Sequence, residues 1–239
     1  MNRKALLALA IAVLLPLTGY WIVNYFTHRN VSMPKRYFYD SVNVVENKGK
    51  ISYDTAWHPV KNMEFTNHLG NNVSLDELKG KVIVLSFFFT RCPTICPKMG
   101  VAMRKLQTSF PENDSIVQFI SISVDPVHDS VPVLKKWADK FEVSPDNWWL
   151  VTGNRDSIYD FAFKEIKASV ADVNVDTAFV HTENFFLLDK DRVIRGWYSG
   201  LDPEAQSRLV QDIPLLMLEK DQKRTFGEFL KAVSKRRLN

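Results

Sequence analysis

Residues 81–100 read KVIVLSFFFTRCPTICPKMG, and three segments of different character meet there. The first, through Phe89, is a nearly unbroken apolar run rich in β-branched and aromatic side chains. It is too short for a buried helix, and its length and flanks predict a strand buried on both faces. The second holds Cys92 and Cys96, the only cysteines in 239 residues, each followed by proline. A residue before proline is steered away from helical angles, so CPTIC predicts a loop, with Pro97 opening the next helix. That reading places Cys96 at the helix N-cap, where free N–H groups and the helix dipole favour a thiolate and lower the thiol pKa. In the third segment Met99 begins a series continued by Met103, Leu106 and Phe110, at helical spacing. The spacing makes these methionines core residues rather than soft metal ligands.

Outward from this stretch, strand and helix patterns alternate. IVQFISISVD (116–125) predicts a second buried strand, and SVPVLKKWADKF (130–141) a helix with Ser130 as cap and Pro132 in its first turn. WWLVTG (148–153) reads as a short strand and RDSIYDFAFKEI (155–166) as a helix. ENFFLLDKDRVIRGWYSG (183–200) reads as two strands about a DKDR turn. DPEAQSRLVQDIPLLMLEK (202–220) starts as a capped helix with a kink or break at Pro214. Upstream, residues 37–53 resemble two strands about an Asn-Lys-Gly turn, and Ser74 is a plausible N-cap for one short helical turn. The alternation implies an α/β domain with a largely parallel sheet. In such sheets ligands bind at the carboxyl ends of the strands, where the cysteine loop falls.

The ends of the chain differ from this body. Residues 5–23, ALLALAIAVLLPLTGYWIV, carry no charge and follow Arg3 and Lys4. About 20 such residues cross a bilayer core as a helix, and Tyr20, Trp21 and Tyr25 suit an interfacial belt. The run is long for a signal peptide, and ALA at 8–10 comes too early for a cleavage site. With no cysteine following it, a lipid anchor is excluded. The expected organisation is an N-terminal membrane anchor (1–26), a polar tether (27–36), an α/β domain (37–215) and a basic C-terminal extension (216–239). Residues 220–239 hold seven Lys/Arg against two acids. The formal net charge is only +4, and no basic stripe interleaves with aromatics along the body, which argues against nucleic-acid binding. Long domains translocate largely regardless of flanking charge, so the body is placed outside the cytoplasm, where disulfides can form.

Two thiols in one loop can cycle between dithiol and disulfide, or they can hold a soft metal. A structural zinc site wants four N, S or O ligands, whereas two thiolates and one imidazole suit copper. Five histidines are available: His28 in the tether, His58 before Pro59, His68 in a polar turn, His128 in VDPVHDS and His181 in FVHTENFFLLD. The pattern favours His181 and then His128, both beside strand ends, and leaves the choice open.

FFFTRCPTICPKM resembles the signature of the Sco/SenC/PrrC family, membrane-anchored copper chaperones of cytochrome c oxidase assembly. SLDELKGKVIVLSFFFTRCPTICPKM, SISVDPVHDSVPVLKKWADKF, WWLVTG, FVHTENFFLLDKDRVIRGWYSG and LDPE follow in the family's order, over about residues 37–215. The resemblance implies a thioredoxin-like fold with a central mixed sheet flanked by helices, one N-terminal transmembrane helix, and a soluble domain on the periplasmic side of the inner membrane. It implies copper, as Cu(I) or Cu(II), held by Cys92, Cys96 and His181, and a Cys92–Cys96 disulfide in the oxidised protein. The implied partners are cytochrome c oxidase subunit II or another copper acceptor, and a thiol–disulfide reductant. The family's DP-x-x-D motif matches Asp125, Pro126 and Asp129, which are expected to support the metal loop, although Asp129 next to Ser130 also suits a helix cap. Two rival chemistries use the same cysteines: metal-independent thiol–disulfide exchange, and peroxide reduction helped by Arg91. The former is disfavoured because such oxidoreductases resemble one another in a cis-proline facing the cysteines, and no proline lies between Pro145 and Pro203.

Overall fold

The computed structural model describes residues 2–30, 32–47, 50–110, 116–168 and 182–219, and within these the side chains of 6–10, 23–30, 47, 50 and 52 lie outside the description. In chain order the elements are α1 (Arg3–Asn30), β1 (Tyr39–Asn47), β2 (Lys50–Trp57), β3 (Glu64–Asn67), β4 (Asn72–Ser74), a short helical turn (Leu75–Leu78) and β5 (Val82–Phe88). Then come α2 (Ile95–Thr108), β6 (Val117–Ser123), α3 (Val131–Lys140), β7 (Trp148–Thr152), α4 (Arg155–Asp160) continued by a π-type turn (Phe161–Glu165), β8 (Asn184–Leu188), β9 (Ile194–Ser199) and α5 (Pro203–Leu218). They fall into two compact units, Met1–Met33 and Pro34–Asn239.

In the second unit β5 is an interior strand, between β6 and β8, of a seven-stranded sheet of order β4-β3-β7-β6-β5-β8-β9. It is buried along its whole length, as the apolar run requires. The two-residue alternation of a strand sends Val82, Val84 and Phe88 into one core layer with α2, α3 and α5, and Ile83, Leu85 and Phe87 into the other with α4. Ser86 breaks the apolar run but is satisfied: its hydroxyl lies 3.0 Å from Ser121 Oγ, which also accepts from Trp148 Nε1 at 3.0 Å. A buried polar group partnered in this way avoids the desolvation penalty of an orphan.

The sheet is less parallel than the alternation of elements suggests. Only β5, β6 and β7 run parallel; β3, β4, β8 and β9 pair antiparallel. For the two end pairs the reason is loop length. The DKDR turn between β8 and β9 is too short for a crossover, and so is the β3–β4 turn, so each pair closes as a hairpin. Strands β1 and β2 form the expected hairpin as a separate two-stranded sheet. Glu77 caps the short turn by accepting from the Ser74 N–H at 2.7 Å. Helix α5, capped by Asp202, runs through Pro214 without ending. Ile213 and Leu216, both at 0% exposure, tie that turn to the core and outweigh the one backbone bond that proline removes.

The first unit is the 28-residue helix α1. Among the described residues no helix is long and apolar enough to cross a membrane, so the expected transmembrane anchor is not established by the structure. The described side chains of α1 from Ile11 to Ile22, including Leu14, Leu15, Tyr20 and Trp21, are exposed.

His68 packs in the β3–β4 turn, 2% exposed, with Nδ1 accepting from the Leu150 N–H at 3.3 Å. Burial pushes its pKa below the ordinary value of 6.5, so the folded state prefers the neutral ring. As pH falls through the ordinary value the unfolded chain takes up the proton first. The stability this residue supplies is therefore full above pH ~6.5 and lost below it. Thermal unfolding midpoints should fall between pH 7.5 and 5.5, and the fall should shrink in His68→Asn, whose Oδ1 can accept the same N–H. An identical decline in both proteins would contradict this assignment.

Candidate metal centre

The parallel register of β5 and β6 sets Phe88 level with Ser123. The chain segments that follow, 89–94 and 124–130, therefore leave the sheet side by side at its carboxyl edge. The second segment grips the first. Asp129, 0% exposed, accepts from the Thr90 N–H at 3.1 Å and from the hydroxyls of Thr90 and Ser123. Arg91 donates to Asp125 Oδ2 from Nη2 at 2.6 Å and from Nε at 3.2 Å. His128 Nδ1 lies 2.9 Å from Asp125 Oδ1 and 3.0 Å from Arg91 Nη2. Burial alone would raise the Asp125 carboxyl, but the hydrogen bonds from His128 and Arg91 and the guanidinium charge outweigh it and hold the group below the usual carboxylate range. Asp125 is thus a charged partner of Arg91 at neutral pH. Asp129 does not cap α3: Ser130 occupies the N-cap position, and the Asp129 carboxylate points back to the cysteine loop.

Downstream of these ties, the cysteines depart from the sequence reading. Helix α2 begins at Ile95 with Thr94 as N-cap, so Cys96 is its second residue and not its cap. Pro97 is accommodated because a first-turn N–H has no intrahelical partner to lose. Burial of Cys96 at 4% exposure, in the core layer shared with α3 and α5, holds the residue in helical geometry against the bias of the following proline. The Cys96 N–H instead faces Cys92 Sγ at 3.4 Å, so the charge-stabilising donor of the helix start serves the first cysteine. The Cys96 thiol is pushed up to about 12, chiefly by burial, the reverse of the lowered value expected at an N-cap. The turn itself is exposed at Arg91, Pro93 and Thr94, whereas both sulfurs are buried, and no disulfide joins them.

His181 lies outside the described residues. Its neighbour Thr182 is 3% exposed, and its Oγ1 accepts from the Asn184 N–H at 3.2 Å. The Glu183 carbonyl accepts from the Gly200 N–H at 2.7 Å. A Cβ on Gly200 would collide with Met99 Sδ and the Phe185 ring. The start of β8 thus sits beside Gly200, which closely approaches the first turns of α2. Strand β8 also runs antiparallel to β5, so it begins at the edge where β5 ends. Of the other histidines, His68 is in the core and His58 bridges Asp40 Oδ1 (2.7 Å) and Glu165 Oε2 (3.2 Å). His28 has no described side chain. Met99 and Met103 are core residues. Among the described residues no group of three His, Cys, Asp or Glu side chains could hold a metal. The two thiols nonetheless fit a soft metal, as a pair of sulfur donors four residues apart on one fixed turn. Thr90, Arg91, Ser123 and His128 were not assigned to the loop support from the sequence. Their signal is the position of TR and DPVHD after two adjacent parallel strands.

A mixed sheet with an interior strand that runs into a dithiol turn at a helix start defines a thioredoxin-like domain. The family model for SCO1/SenC matches residues 55–217. The SCO1 protein homolog of Bacillus subtilis is 36% identical over 161 residues, 67% of this chain and 83% of its own length. The structure of BsSco, described as a member of the Sco family of cytochrome c oxidase assembly proteins with a disulfide switch, aligns at TM-score 0.59 and 34% identity, covering 70% of this chain and 98% of that one. A protein of Stutzerimonas stutzeri whose name calls it copper-binding is 25% identical over 197 residues, 81% of this chain and 85% of its own. The chain belongs to the SCO1/SenC family.

In the reduced protein, iodoacetamide should modify Cys96 at least tenfold more slowly than free cysteine at pH 8, because the thiol is both protonated and enclosed. The rate, read by peptide mass mapping, should climb with pH and show no plateau below about pH 11. A plateau with its midpoint below pH 8 would restore the N-cap thiolate.

Proposed function

We propose that this chain is a membrane-anchored copper chaperone. In this reading Cys92, Cys96 and His181 bind one copper ion, and the protein delivers it to the dinuclear copper site of cytochrome c oxidase subunit II, or reduces the disulfide of the cysteines that will receive it. The observation that carries the reading is the built dithiol turn: two sulfurs on one short segment, tied at Thr90 to a buried carboxylate and at Arg91 to a second. Membership of the family supports the same cargo. Soft sulfur donors select Cu(I), for which two thiolates and an imidazole form a sufficient set.

The residues divide the work. Cys92 and Cys96 give up their protons as copper arrives. Asp129 and Asp125 hold the turn that carries them. Glu183, bonded to Ser199 of β9 and to Gly200, fixes the start of β8 at the same edge of the sheet, and His181, two residues earlier, is the proposed third ligand. A three-coordinate ion leaves a position for a ligand of the acceptor, so transfer proceeds by exchange without free copper. Oxidation of the pair to a disulfide releases two electrons and two protons and removes both thiolate donors, so redox state gates loading.

Residues 1–26 act in this proposal as a single-pass anchor in the inner membrane, with the domain on the periplasmic side. The support is a helix, Arg3–Asn30, with a charge-free run at 5–23 in which the described apolar side chains from Ile11 to Ile22 are exposed, a patch that water does not readily accommodate.

A second reading, metal-independent thiol–disulfide exchange, is favoured by the 3.4 Å approach of the Cys96 N–H to Cys92 Sγ, which holds the two cysteines close enough to pair. Peroxide reduction loses its arginine, since Arg91 is engaged by Asp125. Titration of the reduced protein with Cu(I) against a competing chelator separates the two remaining readings. One tight equivalent is expected, weakened at least tenfold in His181→Ala. Absence of tight binding together with brisk disulfide reductase activity would establish the second reading, and undiminished affinity in the variant would remove His181 from the site.

A further inference from the structure

Gly200 follows β9 directly and is buried. Its surroundings fix it on three sides. The N–H donates to the Glu183 carbonyl at 2.7 Å, the carbonyl accepts from Gln206 Nε2 at 2.7 Å, and the open side faces Met99 and Phe185. A Cβ built there would stand 2.3 Å from Met99 Sδ, 2.7 Å from Met99 Cε and 2.9 Å from the Phe185 ring. Unstrained contacts between carbon atoms lie at about 3.5–4.0 Å, so no side chain fits. Backbone conformation is not the reason for the glycine. Its φ lies outside the left-handed region that Gly70 and Gly80 occupy, and other residues could adopt it. Gly200 is a glycine for room alone.

That room separates two elements of the candidate metal centre. Met99 stands three residues after Cys96 on the same face of α2, and both are 4% exposed. Glu183 precedes β8 and is tied to the end of β9 a second time, by a bond of 2.8 Å from Ser199 Oγ. The close approach at Gly200 therefore sets how near the start of β8 comes to the first turns of α2. Added bulk would find no give on the core side, where Met99 and Phe185 share one close-packed layer with Met103, Leu106 and Tyr198. The turn beyond Gly200 is freer, since Leu201 is half-buried and Asp202 exposed. A larger residue at this position would move the strand end, and Glu183 with it.

We propose that Gly200 is a positioning residue of the metal centre. The space left by its missing side chain lets the start of β8 close on α2, and so lets the donor just before β8 reach the two sulfurs. The proposal rests on the reading of His181 as third ligand. His181 is two residues before Glu183, and two residues span at most about 7 Å, so a displaced strand end carries that donor with it.

The test is a double-mutant cycle on the reduced full chain. Cu(I) affinity is measured by chelator competition for the unmodified protein, Gly200→Ala, His181→Ala and the two together. Gly200→Ala should weaken binding at least fivefold. In the His181→Ala background it should change affinity less than twofold, because the donor it displaces is already gone. The equilibrium for reduction of a Cys92–Cys96 disulfide by dithiothreitol should also move less than twofold, since that pair needs no residue of β8 or β9. Unchanged affinity in Gly200→Ala would overturn the proposal. So would an equal loss in both backgrounds or a larger shift of the disulfide equilibrium, either of which would assign Gly200 to the packing of α2. Undiminished affinity in His181→Ala alone would instead remove the third ligand, and the proposal with it. Should Gly200→Ala not fold, Ser199→Ala takes its place in the cycle. It removes the hydroxyl that holds Glu183 and should weaken binding at least threefold, only where His181 is present.

Discussion

The loop that presents the two cysteines depends on one buried carboxylate. Asp129 lies between the ends of two parallel strands and receives the Thr90 N–H, the Thr90 hydroxyl and the Ser123 hydroxyl. No solvent reaches it, so those donors have no replacement. Removing one partner from a buried, charge-assisted network typically costs about 3–5 kcal/mol, because the groups left behind stay desolvated. That cost makes the start of the cysteine turn a fixed point. The Arg91–Asp125 pair holds the next residue from the solvent side, where Arg91 is exposed and its contribution is screened. The inner tie therefore sets the position of the turn, and the outer one orients it.

Sheet topology brings chain segments distant in sequence to one edge. Parallel pairing of β5 with β6 brings two loops out at one edge, and antiparallel pairing of β5 with β8 makes β8 begin where β5 ends. The tight contact of Gly200 with Met99 then closes the space between the incoming chain of β8 and α2. Met99, which as a thioether could be mistaken for a ligand, is used for packing at that contact.

The buried strands, the α2 methionine series, the short turn at Ser74 and the β8–β9 hairpin were legible because each follows from a local pattern or a turn signal. The antiparallel flanks of the sheet were not, since pairing direction depends on connection length rather than on strand composition. Cys96 and Pro214 show a common physical reason for error. In each case a proline rule argued for a break, and burial of adjacent side chains in the core prevailed. The thiol of Cys96 was misjudged in consequence, because a cap position implies solvent and a helix dipole, whereas the second residue of α2 is buried in the core layer of α2, α3 and α5. The aspartates of DPVHD were legible as loop supports, but their partners Thr90, Arg91, Ser123 and His128 emerge only when the strand register is known.

Arg195 is held by the same physics at the start of β9: its guanidinium, 3% exposed, donates to Asp189, Glu219 and the Pro34 carbonyl. The central claim concerns the donors at the cysteine turn. Copper K-edge X-ray absorption of the full chain loaded with one equivalent of Cu(I) tests it most directly. The account predicts two sulfur scatterers and one nitrogen scatterer per copper, with the nitrogen lost in His181→Ala. A first shell of sulfur alone in the unmodified protein, or a nitrogen that persists in the variant, would contradict it.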